Sequence, residues 1–321
     1  MRCDNGSFII SLDFELIWGV LDSKGDDYFS QICNVHKVVP RLLNVFEKYE
    51  ISCTWATVGA LLVGDVEAFN RFAPDSTPSY DNREINPYER LSYIYGLENR
   101  LYSANSLVRD IISRNKQELA SHTFSHYYCL EPGQDVHDFR EDVKSNIKLA
   151  LDLGVSLNSM VFPRNQFDQS YLNVLSSLGF TSYRGNPAHW AYEPAKGDDQ
   201  GNFKRLFRLI DNYIPLSGHL TSIPEKCNQS GLINVPASLF LRPYNPRLKW
   251  LDGLRLLRIK RSMTKAAKTG RVFHLWWHPH NFGSYTEENM MFLVEIIQHY
   301  RYLHEEYGFE SVTMSEIAKR C

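Results

Sequence analysis

Two histidines four positions apart are the strongest chemical signal in the sequence. His122 and His126 lie in the motif S-H-T-F-S-H at residues 121–126. On one helical turn this spacing places both imidazoles on the same face, where they can reach a single metal ion. The pair follows a predicted strand at residues 118–121, so it is expected at the C-terminal end of that strand. A chance pair of surface histidines is the alternative interpretation.

Two carboxylates at the end of the first predicted strand could complete a metal site. Asp13 and Glu15 flank Phe14, and alternation along a strand turns both carboxylates to the same side. Two acids that end an apolar strand are costly to bury unless they are paired or bind a cation. A hydrolytic metal site needs a carboxylate ligand and a base that accepts a proton from water. Capping of the following turn is the alternative, above all for Glu15.

Two further strand ends carry residues that suit acid catalysis and anchoring. His278 follows the apolar run 272–277 and precedes a proline, and a histidine there can protonate a leaving amine. His274, deeper in that strand, is expected to be a hydrogen-bonded core residue. Arg164 follows the strand 159–162 and could hold an anionic base through a bidentate pair, or form an ordinary surface salt bridge.

Alternating strands and helices are expected to position these residues. Strands are predicted at residues 8–14, 51–58, 118–121, 159–162, 181–184, 232–240, 272–277 and 310–313. Helices are predicted at residues 38–49, 105–114, 136–153, 169–178, 248–268, 287–307 and 314–319. This alternation is typical of a parallel sheet covered by helices, and about seven units favour a barrel over an open sheet. Pro40 is expected in the first turn of its helix.

Two long segments interrupt the alternation, near residues 64–100 and 186–231. We interpret them as loop insertions over one end of the barrel, where substrate-binding walls usually lie. Surface loops without a role are the alternative. The whole chain, residues 1–321, is then one α/β domain.

Composition excludes several classes of protein. The 321 residues are 43% hydrophobic and 22% charged, as in a globular protein. A net charge of −2 argues against a nucleic-acid partner, and the apolar runs are too short to span a bilayer. The sequence shows no secretory signal and its six cysteines are scattered, so a cytoplasmic location is expected.

Taken in order, these segments resemble the polysaccharide deacetylase superfamily, the NodB-homology domain. The resemblance rests on the acidic first strand, residues 51–59 (I-S-C-T-W-A-T-V-G), the S-H-T-x-x-H pair, the two strand ends with arginine and His-Pro, and residues 312–315 (V-T-M-S). It implies a distorted (β/α) barrel with one divalent metal ion, zinc first among the candidates. It also implies removal of an acyl group, with acetyl favoured, from an amino sugar.

The resemblance implies a role for each candidate residue. Its metal ligands are Glu15, His122 and His126. Asp13 is the implied base, Arg164 orients it, and His278 protonates the leaving nitrogen. The family has two adjacent aspartates where this chain has a spaced pair, so the roles of Asp13 and Glu15 could be exchanged, or Asp13 could be both base and ligand. The arginine motif matches loosely, and the family's Asp-Trp motif is not evident.

The expected substrate is a nucleotide-linked or lipid-linked acylated amino sugar, because a cytoplasmic enzyme meets precursors of surface polysaccharides. Trp18 and Trp190 are the aromatic residues expected to contact the sugar, whereas most other tryptophans are expected in the core. The alternatives are a deformylase, a hydrolase of small cyclic amides, and a degenerate member that binds sugar or metal without turnover. The oligomeric state is not predicted.

Overall fold

One sheet surrounded by helices forms the framework of the protein. The computed structural model describes residues 5–23, 25–193 and 201–321. Within these residues the strands are β1 (Ser7–Phe14), β2 (Cys53–Thr57), β3 (Gln117–Ser121), β4 (Ser159–Met160), β5 (Ser182–Tyr183), β6 (Glu225–Lys226), β7 (Ile233–Asn234), β8 (Leu239–Phe240), β9 (Val272–Trp277) and β10 (Glu310–Ser311). The α-helices are α1 (Phe29–Lys48), α2 (Val66–Phe72), α3 (Leu91–Tyr95), α4 (Asn99–Tyr102), α5 (Asn105–Ser113), α6 (Val136–Asp152), α7 (Gln169–Ser177), α8 (Asn202–Asp211), α9 (Asp252–Thr269), α10 (Thr286–Tyr307) and α11 (Met314–Ala318).

Strand β1 lies in the middle of the sheet. The strand order is β6-β7-β5-β4-β3-β2-β1-β9-β8, and β10 also pairs with β1. Every pair is parallel except β6 with β7. All eight residues of β1 are buried. The acidic end of β1 is therefore carried by the most enclosed strand of the molecule.

The segment that contains β7 and β8 connects the two sides of the sheet. The Val235 amide donates to the Tyr183 carbonyl at 2.9 Å, next to β5, and the Ser238 amide donates to the His274 carbonyl of β9 at 2.8 Å. We predicted one strand at residues 232–240, but the segment changes pairing partner midway and is therefore divided in two. This change of partner curves the sheet into a distorted (β/α) barrel, as predicted.

The parallel strands direct their C-terminal ends to the same rim of the barrel. The segments that follow β1, β3, β4, β5 and β9 therefore meet there. Each of these segments carries at least one candidate residue, so the topology brings the chemical groups together although they are far apart in sequence.

Helix α1 differs most from its predicted extent. It begins at Phe29, nine residues before the predicted start, so Pro40 lies in its interior and not in its first turn. Proline removes one helical hydrogen bond there. The helix nevertheless continues because its apolar face is buried on both sides of the proline, at Ile32, Val35, Val38, Val39, Leu42, Leu43 and Phe46.

The two predicted insertions contain regular structure. The first carries α2, α3 and the start of α4, and the second carries α8 and β6. The helices of the first insertion have four to seven residues, too few turns for a clear apolar periodicity, whereas the ten-residue α8 was missed in a segment rich in Gly, Pro and Lys. None of the described helices is both long and apolar enough to cross a bilayer.

Candidate metal centre and active site

Three buried donors from two strand ends meet at the rim. The Glu15 Oε2 atom lies 3.0 Å from His126 Nε2 and 3.5 Å from His122 Nε2. One ligand atom from each of the three residues lies within 4.8 Å of the other two. All three side chains are buried. The set of two imidazoles and one carboxylate is that of many divalent metal sites.

The loop that carries both histidines is not the helical turn that their spacing suggested. Thr123 and His126 both have φ of 63°, in the left-handed region. The Asp142 carboxylate of α6 accepts hydrogen bonds from the amides of Phe124 (2.6 Å) and Ser125 (3.1 Å), which holds this loop in place. The two imidazoles are therefore brought together by an irregular loop that the Asp142 carboxylate anchors.

A hydrogen bond at Nδ1 of His122 leaves Nε2, the other ring nitrogen, able to bind a cation. His122 Nδ1 lies 2.7 Å from the Val161 carbonyl oxygen, which can only accept, so Nδ1 carries the proton. In the neutral ring Nε2 then presents a lone pair towards Glu15. Such a bond to the distal nitrogen is typical of histidines that bind metals.

The charges of the cluster favour a bound cation. Burial works to raise the pKa of Glu15, but the imidazoles around it more than offset this and hold that pKa well below its usual range. Burial lowers the pKa of His126, although Glu15 acts in the opposite direction. His126 Nδ1 is buried without a hydrogen-bond partner among the described residues. The residues present therefore fit a divalent ion, since lone pairs and a carboxylate face one another.

Gly19 gives the Glu15 carboxylate its space. A Cβ atom at position 19 would overlap the carboxylate carbon and both oxygens of Glu15. Gly19 ends a short 3-10 turn that follows β1, so the chain folds back directly over the acid. Only a residue without a side chain allows this close approach.

Asp13, the second acid of β1, is bound by an arginine that the sequence did not single out. Arg184 donates from Nη1 and Nη2 to the two Asp13 oxygens at 2.6 and 2.7 Å, and both side chains are buried. Burial works to raise the pKa of Asp13, but the Arg184 guanidinium outweighs it and lowers that pKa. Asn165 and Ser11 accept further bonds from Arg184 at 2.9 and 3.0 Å.

Arg164 does not orient Asp13, which corrects our expectation. Its guanidinium pairs with Asp22 and Glu131 and lies 4.2 Å from the centre of the Tyr128 ring. Arg164 and Arg184 follow adjacent strands, but the sequence analysis considered only Arg164. Their side-chain directions depend on loop geometry that no spacing rule predicts: Arg164 itself has φ of 53°.

His278 lies between the two acids at the open side of the site. Its Nε2 is 3.6 Å from Glu15 Oε1 and 3.9 Å from Asp13 Oδ2, and Nδ1 faces the Asn281 amide oxygen at 3.3 Å. His280, just beyond the proline, is buried and stacks on His278 with ring centres 4.9 Å apart.

His274 is a core residue, as expected. Its Nε2 lies 2.8 Å from Ser11 Oγ, and its Nδ1 lies 3.3 Å from the Val235 carbonyl oxygen. Burial lowers its pKa to about 3, so the ring is neutral.

A cavity of about 300 Å³ opens beside His278. Trp276 and Phe240 contribute its aromatic wall. Trp18 is not available to a substrate, because it is buried and donates from Nε1 to the Tyr102 carbonyl at 2.8 Å. Trp190 is exposed and stacks on Phe203, outside the cavity lining. Sequence reasoning therefore missed Trp276, a residue of β9 that lines the cavity next to His278.

Comparisons with known proteins agree with this architecture. Residues 26–183 match the family model for polysaccharide deacetylases. The structure is similar to that of a Mycobacterium smegmatis protein assigned as a polysaccharide deacetylase (TM-score 0.60, 14% identity). The match covers 98% of this chain and 90% of that protein. For a protein of Pseudomonas aeruginosa PAO1 with the same assignment, the shares are 98% and 89% (TM-score 0.56, 11% identity).

A third similar structure has a different described activity. PuuE allantoinase matches over 98% of this chain and 88% of its own (TM-score 0.57, 11% identity). These likenesses concern the fold. No curated protein matches the sequence. The family match assigns residues 26–183 to the polysaccharide deacetylase family, as the resemblance implied, and the shared barrel agrees with that assignment.

Proposed function

We propose that the protein is a metal-dependent hydrolase that removes an N-acyl group, with acetyl favoured, from an amino sugar. The observation that supports this most is the meeting of Glu15, His122 and His126 directly beside the Arg184-bound Asp13 and His278. The proposed metal ligands, the proposed base and the proposed acid thus lie in one cluster.

The proposed roles follow from what holds each group. Glu15, His122 and His126 would hold a divalent ion, zinc first among the candidates, which when bound supplies Lewis acidity for water and for the acyl oxygen. Asp13 accepts a proton from the attacking water. Arg184 occupies both Asp13 oxygens and thereby keeps this carboxylate ionised and oriented, which favours the base role for Asp13 and the ligand role for Glu15.

His278 is the proposed general acid. It is the member of the cluster that reaches the cavity, with 23% of its side chain exposed. A proton delivered by His278 Nε2 lets the sugar nitrogen leave as a neutral amine, which departs far more readily than an amide anion.

The size of the cavity favours a small substrate. At about 300 Å³ it lies at the lower end of ligand pockets, which suits one acylated sugar better than a long polymer. We therefore propose a precursor of a surface polysaccharide. Release of formate in place of acetate would indicate a deformylase. Hydrolysis of a cyclic amide would indicate a cyclic-amide hydrolase with the same fold.

The test combines metal analysis with product detection. Purified protein should hold about one divalent ion per chain, and His122→Ala or His126→Ala should lose it, whereas the exposed His304→Ala should keep it. Acylated amino sugars are then screened for released acetate and formate. Asp13→Asn should keep the metal and lose about 10²–10⁴-fold in turnover. Unchanged turnover in Asp13→Asn would remove Asp13 from the reaction, and a metal-loaded protein that releases no acid from any substrate would contradict the proposal.

A further inference from the structure

The cavity beside His278 contains a cation that forms no ion pair with an acid among the described residues. Arg242 follows β8 and lines the cavity, and its Nε atom is buried without a hydrogen-bond partner among the described residues. Burial lowers the pKa of its guanidinium and nearby Arg208 acts in the same direction, yet an arginine remains charged in proteins. A half-buried charge without a partner destabilises the fold.

The other charged groups of the cavity do not neutralise Arg242. Arg208 also lines the cavity and adds positive charge. Arg164 is compensated by its own two acids. Glu193 lines the cavity but is exposed, and it forms no ion pair with Arg242 in the part of the chain that the structure describes. The cavity is therefore positive at the end where Arg242 lies.

Hydrogen bonds from a buried arginine hold the backbone of Arg242 in place. The buried Arg255 donates from Nη1 to the Arg242 carbonyl at 2.6 Å and to the Pro243 carbonyl at 3.2 Å. The Asn212 amide and the Ser238 hydroxyl line the same cavity and supply further polar groups. A cation on an anchored backbone, with neutral polar groups around it, is suited to bind an oxyanion.

We propose that Arg242 forms a subsite for an oxyanion, phosphate or carboxylate, on the substrate. The inference rests on the proposed function and narrows it: the acylated amino sugar carries a negative group on the side of the ring that faces away from Glu15 and both histidines. The guanidinium fork would bind this group and so position the acyl amide near His278.

Direct binding tests the subsite without any hydrolysis. Inorganic phosphate is titrated into the metal-free protein and followed by calorimetry. Arg242→Met should weaken phosphate binding at least about tenfold and Arg242→Lys less. The exposed Arg247→Met, five residues away and outside the cavity, should not change it. Equal affinities of wild type and Arg242→Met would overturn the subsite, even if the protein is an active deacetylase.

Kinetics distinguish the two kinds of anion. The ratio of kcat/KM for N-acetylglucosamine 1-phosphate to that for N-acetylglucosamine should exceed one, and it should fall about tenfold in Arg242→Met. A preference for an N-acetylated sugar acid over the sugar phosphate would show that the anion bound by Arg242 is a carboxylate. A ratio that Arg242→Met leaves unchanged would show that the substrate anion does not contact Arg242, and would overturn the proposal.

A second feature, independent of the cavity, concerns the distribution of charge. Residues 202–271 contain 14 basic and 3 acidic residues, a net charge of +11, whereas the rest of the chain carries −13. The net charge of −2 of the whole chain therefore conceals a basic segment. The same segment carries a large share of the exposed apolar side chains.

The exposed apolar residues form stripes on two helices. On α8, Phe203 (71% exposed), Leu206 and Ile210 lie on one face. Trp250 (76% exposed) and the α9 residues Leu254 and Leu257 form a second stripe, which continues as exposed cations along the same face at Arg261, Lys265 and Lys268. Arg258 of α9 donates from Nε to the carbonyl of Asp211, the last residue of α8, at 3.0 Å, which joins the end of α8 to α9.

We infer that this face docks on the surface of a membrane that contains anionic lipids. Apolar side chains beside basic ones are typical of helices that lie in the lipid interface, where tryptophan is favoured. Each basic residue near an anionic surface contributes about 1 kcal/mol. A second copy of the chain is a poor occupant because two strongly basic faces repel each other. Exposed leucine and isoleucine give a nucleic acid nothing to bind.

Vesicle sedimentation tests the docking. Wild type should bind vesicles of phosphatidylcholine with phosphatidylglycerol more strongly than phosphatidylcholine alone, and added salt should weaken this binding. Phe203→Ser/Trp250→Ser should reduce binding at least about tenfold. Leu151→Ser/Met291→Ser, which removes side chains 58% and 68% exposed on α6 and α10, should not. Absence of vesicle binding, an equal loss in both variants, or dimerisation through this face in place of vesicle binding would each overturn the inference.

Discussion

The two buried acids of the site differ in the groups that balance their charge. Asp13 is matched by Arg184, whereas Glu15 faces only imidazoles. Residue type and strand-end position singled out Asp13, Glu15, His122, His126 and His278 in the sequence, and the structure brings these five side chains together. The sequence analysis chose Arg164 and overlooked Arg184, because the direction in which each loop leaves its strand leaves no local pattern.

Gly19→Ala is expected to damage the metal site and leave the fold nearly intact. The added methyl group overlaps the end of a flexible side chain, so Glu15 must move while the backbone remains. Stability should change by no more than about 1 kcal/mol, whereas zinc affinity should fall at least 10–100-fold. Zinc titration by calorimetry and urea denaturation measure the two effects.

Gly64→Ala is the matched control, because nothing lies near a Cβ atom at position 64. It should change neither zinc affinity nor stability by a measurable amount. Normal zinc binding in Gly19→Ala would show that the position of Glu15 does not determine the site.

Removal of Arg184 should be harmful because it leaves Asp13 as an uncompensated buried charge. Arg184→Met is expected to cost about 3–5 kcal/mol of unfolding free energy. Asp13→Asn in the same chain should recover part of this loss, so the two effects are not additive. Urea denaturation of the four proteins measures the coupling. The same cycle between Arg164→Met and Asp13→Asn should be additive, and strong coupling there would restore the role first expected for Arg164.

At the scale of elements, the strands and long helices were predictable but the loops between them were not. Apolar runs and helical periodicity located β1, β9, α6 and α10 to within a few residues. The loop after β3 was wrongly expected to be helical, because its conformation is imposed by Asp142, eighteen residues from Phe124. Long-range hydrogen bonds of this kind leave no local pattern in a sequence.

Asp142→Asn should loosen the loop that carries His122 and His126. The amide has one acceptor oxygen in place of two, so at least one buried N–H group loses its partner. We expect a loss of about 2–3 kcal/mol in stability and weaker zinc binding. Thermal unfolding and zinc titration measure this. Asp152→Asn, an exposed change on the same helix, should have no such effect, and equal effects of the two variants would show that Asp142 does not support the loop.

At the scale of the whole molecule, the sequence predicted the barrel and its superfamily but not the layout of its surfaces. The family match covers residues 26–183, so Asp13, Glu15, Arg184 and His278 all lie outside it. In the sheet, β1 lies beside β2 of the matched region and β9 lies beside β1, whereas β5, which precedes Arg184, ends the matched region. Part of the cavity wall comes from the second insertion, at Asn186, Pro187, Tyr192, Glu193, Arg208 and Asn212, and the sequence analysis had described this segment only as a loop.

Buried His274 should make the protein less stable in weak acid. Its pKa is about 3 in the fold against 6.5 in a model peptide, so the unfolded chain takes up a proton first and stability falls as the pH drops from 6.5 towards 3. Between pH 7 and pH 5 this residue alone accounts for about 2 kcal/mol. Urea denaturation of the metal-free protein at both pH values measures the drop. His274→Gln should be less stable overall but show a drop about 2 kcal/mol smaller, and an equal drop would contradict a neutral buried ring.

The central position of β1 has a consequence for biosynthesis. Its neighbours are β2, which ends at residue 57, and β9, which begins at residue 272. A nascent polypeptide therefore waits on the ribosome with one side of this apolar strand unpaired until most of the message has been translated. We expect ribosome-bound chains that stop before β9 to need a chaperone to remain unaggregated.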